Sequence, residues 1–182
     1  MTHDYAPWRA LRALDERWIT FLREHFNAKL QRSPDAYVSW LADRRTLIVS
    51  PDHDLDPDDT IAQIVLHELC HHLVEGHHSD QFDDWGLDNI TDQHLANEYA
   101  ALRLQAAILD PHALRPWLNP TTDHRWFYES LHAHPLQSPA HPETDATSTA
   151  LAREGWDRWL SWDLRPRIQD ELETAAALLS NR

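Results

Sequence analysis

Apolar residues recur at three- and four-residue steps along residues 7–30, where Trp8, Leu11, Trp18, Phe21, Leu22, Phe26 and Leu30 share a face. That period predicts a long amphipathic helix with its stripe turned to a core. The pattern changes after Ser33-Pro34-Asp35. Residues 37–41 and 46–50 read as two strands of a small antiparallel sheet, joined by residues 42–45. An aspartate-rich run then leads into residues 61–76, IAQIVLHELCHHLVEG. Ile64, His67, His71 and Val74 follow the spacing of a buried helical face. Asp56 is expected to cap this helix, with Pro57 at its first position and Asp58 and Asp59 complementing its dipole. Gly76 is expected to end it. A further helix is predicted over residues 91–109, with Leu95, Glu98, Leu102, Gln105 and Leu109 on one stripe. Glu98 is the one carboxylate on that stripe.

Beyond Asp110-Pro111 the pattern loosens into an irregular, aromatic-rich segment. Residues 134–149, rich in Pro, Ser, Thr and His, read as a surface linker. Two more helices are expected, over residues 151–162 and from Pro166 onward, the latter with Ile168, Leu172, Ala175, Ala176 and Leu179 facing inward. The expected fold is α+β and mainly helical, its small antiparallel sheet beside a central helix. Residues 1–133 form the expected metal-binding domain. Residues 150–182 are expected to pack on it as a helical segment.

Composition narrows the partners. A length of 182 residues suits one sizeable core. The net charge of −14 argues against nucleic acid and anionic membrane, both of which need basic patches. One cysteine, Cys70, allows no intramolecular disulfide and fits a reducing compartment. No apolar run approaches the roughly 20 residues of a membrane span, and the N-terminus does not read as a signal peptide. A cytoplasmic location is the expectation.

The chemistry lies in His67-Glu68-Leu69-Cys70-His71, an H-E-x-x-H on a predicted helix. One turn separates the two histidines, so both imidazoles reach one ion. Glu68 falls about 100° round the helix, beside the ion, where a general base acting on activated water belongs. Two histidines need at least one further protein ligand. His77 stands near a metzincin's third histidine, but Gly76 is misplaced for that pattern and no Met-turn exists. Glu75 is two turns away from His67. Glu98 is the expected carboxylate, with Asp84 and Asp88 as alternatives. Its side chain is expected to lie between the histidines without a Lys or Arg partner, ionised beside a metal and with a raised pKa without one. His124 and Tyr128 are candidate donors to a developing oxyanion. Cys70 reads as a buried, inert thiol.

The H-E-x-x-H helix followed by one bearing Asn97-Glu98 resembles the gluzincin branch of zinc metallopeptidases. A longer likeness runs through Phe26-Asn27-Ala28-Lys29-Leu30, residues 45–49, HELCHHLVEG and Asp84-Trp85-Gly86. Over roughly residues 26–109 it is similar to the elongation factor P hydroxylase family. These resemblances imply a zincin-like fold with a 2-His-1-carboxylate metal site at His67, His71 and Glu98. They imply different reactions. The first is a Zn2+ hydrolase of a peptide or protein substrate, with Glu68 as base. The alternative is a mononuclear Fe2+ hydroxylase. A metal-binding module without catalysis is a third possibility.

Overall fold

The structure is a computed structural model, described here for residues 5–88, 91–120, 124–131, 134–137 and 145–181. It is mainly helical with a small three-stranded sheet, an α+β arrangement. The elements in order are α1 (Ala6–Leu11), α2 (Asp15–His25), β1 (Lys29–Arg32), β2 (Val38–Leu41), β3 (Thr46–Val49), α3 (Ile61–Glu75), α4 (Leu95–Leu109), α5 (Arg125–Ser130), α6 (Asp145–Ser161) and α7 (Arg165–Ser180). Among the described residues, no helix is long and apolar enough to cross a membrane.

The helix expected over residues 7–30 is broken twice. A 3-10 turn at Arg12–Leu14 separates α1 from α2, and the Arg12 guanidinium there donates to the carbonyls of Asp56 and Asp59. The second break is at Asn27, whose φ of +50° reverses the chain. Asn tolerates that region better than most residues. Arg45 holds the break by donating to the carbonyls of Phe26 and Asn27 at 2.8 and 3.0 Å. Leu30 therefore lies in a strand rather than on a helical stripe.

That strand also corrects the sheet. β2 and β3 pair antiparallel, Ser39 opposite Ile48 and Trp40 opposite Leu47. But β1 pairs parallel with β3, Leu30 opposite Leu47, giving a mixed sheet of order β1-β3-β2 instead of an antiparallel one. β1 escaped the period-2 reading because it is mostly exposed and carries Lys29, Gln31 and Arg32.

Helix α3 begins four residues later than its aspartates suggest. Thr60 is the cap, its hydroxyl accepting from the Gln63 N–H at 3.2 Å. Asp15 of α2 accepts from the Ile61 N–H at 3.1 Å, so a second element satisfies another of the free donors at this end. Asp59 is buried instead, accepting from the Gln63 amide and the Tyr37 hydroxyl. Gly76, at φ +94°, closes the helix in a region that L side chains avoid.

Nearly every residue of α3 is buried, because α2, α4 and α6 surround it. The closest crossing is made by Gly155 of α6. A Cβ there would meet Leu104 of α4 at 3.1 Å and Val74 of α3 at 3.2 Å. Residues 145–149, expected in a linker, form the first turns of α6, and Ser148 is fully buried against the Arg103 guanidinium at 3.2 Å. The part of that linker over residues 138–144 lies outside the described residues. Trp159, Ile168 and Leu172 from α6 and α7 join Trp18, Leu66 and Leu109 in one core.

Candidate metal centre

Helix α3 presents His67 and His71 one turn apart, with ring centroids 4.7 Å apart and planes nearly perpendicular. Their Nε2 atoms are 3.2 Å apart. Glu98, in the first turn of α4, brings Oε1 within 3.3 Å of His67 Nε2 and Oε2 within 3.1 Å of His71 Nε2. Two imidazole nitrogens at that separation accommodate at most one proton between them. The edges of a tetrahedron with bonds of 2.0–2.1 Å are about 3.3–3.4 Å long, so the donor set fits a small dication. Among the described residues this is the one group of three or more His, Cys, Asp or Glu side chains with such convergence.

The surroundings fix one of these imidazoles directly. Gln105, fully buried on α4, donates its amide to the Leu118 carbonyl at 2.9 Å. Its oxygen therefore faces His67 Nδ1, 3.0 Å away, which sets the proton on Nδ1 and leaves the Nε2 lone pair toward Glu98 and His71. His71 Nδ1 is buried with no partner among the described residues.

Charge couples the three groups. Burial alone depresses the basicity of His67, but the Glu98 carboxylate overrides it and lifts its pKa to about 9. Burial likewise pushes Glu98 upward, yet His67 and His71 together hold it well below the usual carboxylate range. The expectation that Glu98 would be raised without a metal is thus corrected: the two imidazoles beside it outweigh its burial. Arg103, a possible competitor for Glu98, instead donates to Ser148 and to the Pro135 carbonyl.

The cluster opens into a cleft of about 780 Å³, lined among others by Tyr37, Val38, Glu68, Trp85, His94 and His124. Glu68 stands beside the histidines and accepts from the Trp85 indole N–H at 2.7 Å. That contact depends on an unusual turn. Asp84, Trp85 and Gly86 all have positive φ, of +46°, +61° and +84°. Such strain persists only where surrounding contacts over-determine it. Here Asp84 accepts from the Ser39 hydroxyl and the Trp40 N–H, both at 2.9 Å, and Trp85 stacks on Trp40 at 4.8 Å.

Asp84 is therefore committed to the sheet, although it lines the cleft. The Asp88 carboxylate accepts from Thr91, and its N–H donates to His94 Nδ1 at 2.7 Å. Neither converges on the histidines as Glu98 does. His124 reaches the cleft wall with its ring edge-on to Tyr99. Tyr128 does not line the cleft. It is buried in a separate cluster with Phe127 and Leu131, where burial raises its phenol well above the ordinary value. Its hydroxyl donates to the Arg115 carbonyl at 3.5 Å and the Arg115 guanidinium lies over its ring, so the side chain serves packing. Cys70 is fully buried, and burial pushes its thiol well up as well.

Sequence reasoning did not assign roles to Gln105, Trp85 or His94. Gln105 carried a signal, as a second polar residue on the apolar stripe, two turns beyond Glu98. Trp85 stood within the Asp84-Trp85-Gly86 likeness without its partner Glu68 being legible, and His94 carried no signal, since its partner is a backbone group. Comparison with known protein families, curated proteins and solved structures finds no match to this chain.

Proposed function

We propose that the chain is a metal-dependent hydrolase of zincin type acting on a peptide or amide bond, with His67, His71 and Glu98 as the ligands of a zinc ion. The observation that carries this reading is the mutual approach of the three donor groups to 3.1–3.3 Å at the wall of an open cleft. When bound, zinc supplies Lewis acidity toward water and a scissile carbonyl. Glu68 has one oxygen held by Trp85. The other is free to take a proton from water and return it to the leaving amine. His94 and His124 are the cleft imidazoles in position to donate to negative charge developing on the substrate oxygen.

One observation favours a second reading, a mononuclear iron hydroxylase. The Trp85 bond gives Glu68 a structural task that needs no proton transfer, and a His₂-carboxylate set serves iron as well as zinc. Metal analysis of anaerobically purified protein, paired with a measurement of O₂ uptake, separates the two. Bound zinc with amide hydrolysis and no O₂ uptake supports the hydrolase. Bound iron with O₂ uptake replaces it by the hydroxylase.

A further inference from the structure

An extended peptide commonly binds beside a cleft by adding a strand to an exposed sheet edge, its affinity coming from main-chain hydrogen bonds. Strand β2 is such an edge, since the order is β1-β3-β2. Tyr37 and Val38, at its start, line the cleft. The antiparallel register decides which of its backbone groups are free. The Tyr37 carbonyl accepts from the Ser50 N–H at 2.8 Å, and Ser39 lies opposite Ile48. Tyr37, Ser39 and Leu41 therefore turn their backbone groups to β3, and Val38 and Trp40 turn theirs outward, as does the N–H of Ala42, whose carbonyl accepts from Arg45 in the turn.

Two of those three outward N–H groups are already taken. The Trp40 N–H donates to Asp84 at 2.9 Å, and the Ala42 N–H donates to Asp83 at 2.8 Å. The same turn is pinned over the edge by the Trp40 indole, which donates to the Asp80 carbonyl at 3.1 Å. Among the described residues Val38 is left as the outward position of β2 whose N–H is not capped in this way, and it lies at the cleft.

We propose that this edge is withheld from extended chains, so that the cleft takes a short amide carrying one or two residues of backbone, docked at Val38, rather than a polypeptide strand. This rests on the hydrolase reading for its chemistry but not for its geometry. Because alternate residues of an added strand face β2, a third and a fifth substrate residue would have to displace the Asp84 and Asp83 carboxylates from N–H groups they already hold. One or two residues displace neither.

The test is a ladder of N-acetyl-alanyl anilides, from one residue to about six, given to the zinc-loaded protein. Amide exchange by NMR on the metal-free protein, with and without the longest unlabelled acetyl-alanyl peptide, supplies the reading that needs no activity. The expected kcat/KM stays within about threefold along the ladder, whereas a strand-adding cleft gains about tenfold or more with length. Trp40 and Ala42 amides should exchange slowly without peptide and be unchanged by it, and Val38 should exchange faster. Asp84→Asn, which keeps the acceptor oxygen, should retain the flat profile. Asp83→Ala frees the Ala42 N–H without touching Asp84, and its Ala42 amide should lose protection. A steep rise of kcat/KM with length in the unmodified protein overturns the proposal. So do Trp40 and Ala42 amides that exchange freely until peptide is added. If no anilide of any length is cleaved while those two amides stay protected, the hydrolase reading fails and the withheld edge stands.

Discussion

At the scale of single residues, the site depends on groups that are costly to bury alone and inexpensive together. Glu98 without its histidines would be a carboxylate partly removed from water, which burial alone would push toward its neutral form. Glu68 differs, because it touches Trp85 and not the ligand triangle. Glu68→Gln keeps an acceptor for the indole but removes the base. Turnover should fall by about two orders of magnitude or more with zinc content unchanged, as kinetics and metal analysis would show. Loss of zinc in that variant would place Glu68 among the ligands. The shift on His67 gives a second expectation. Zinc needs the neutral imidazole, while Glu98 holds the metal-free His67 protonated up to pH about 9. Zinc affinity should therefore rise with pH, by up to about tenfold per unit, and level off above that value. A competitive chelator titration across that range would read it, and a flat profile would remove His67 from the ligand set.

At the scale of elements, the centre is positioned by one helix crossing and one strained turn. Gly155 lets α6 approach α3 at Val74 and α4 at Leu104 closely. Gly155→Leu should overpack that crossing and cost about 1–3 kcal/mol, visible as a lowered Tm. In Gly155→Ala the gain in helix propensity, about 1 kcal/mol, opposes the tight contacts with Leu104 and Val74, so its Tm should move far less. The elements also show how far local pattern reaches. β2, β3, α3, α4 and α7 were legible because each buries a face with its own period. The break at Asn27 was not, since it depends on Arg45 reaching back eighteen positions to the Asn27 carbonyl. The start of α3 at Thr60 was misplaced for a related reason: Asp59 is drawn inward by Tyr37 and Gln63, which no local rule weighs.

At the scale of the whole molecule, the C-terminal helices complete the core around the metal helix. Trp159, Ile168 and Leu172 are buried against it, each worth about 1.5–3 kcal/mol. Arg17 of α2 also pairs with Glu171 of α7 at 2.7 Å, though an exposed pair of this kind adds little. A chain ended at residue 137 loses all three apolar side chains and uncovers the α4 surface that α6 protects. Against a typical stability of about 5–15 kcal/mol, such a fragment should show no cooperative thermal transition by circular dichroism. A sharp melt would mean that the N-terminal part folds by itself.

The sequence by itself determined the helical character, the strands β2 and β3, and the placing of His67, His71 and Glu98 on buried stripes. Period and spacing are local properties that a side chain carries with it. Tertiary structure decided the rest. It set Glu98, rather than Asp84 or Asp88, against the two histidines, with the sheet as partner for Asp84 and Thr91 for Asp88. It paired a polar, exposed β1 in parallel with β3, withdrew Tyr128 into a core, and aimed the Trp85 indole at Glu68 through three left-handed residues. Each of these is a competition between distant groups for one partner, and the winner is known only when the chain has closed upon itself.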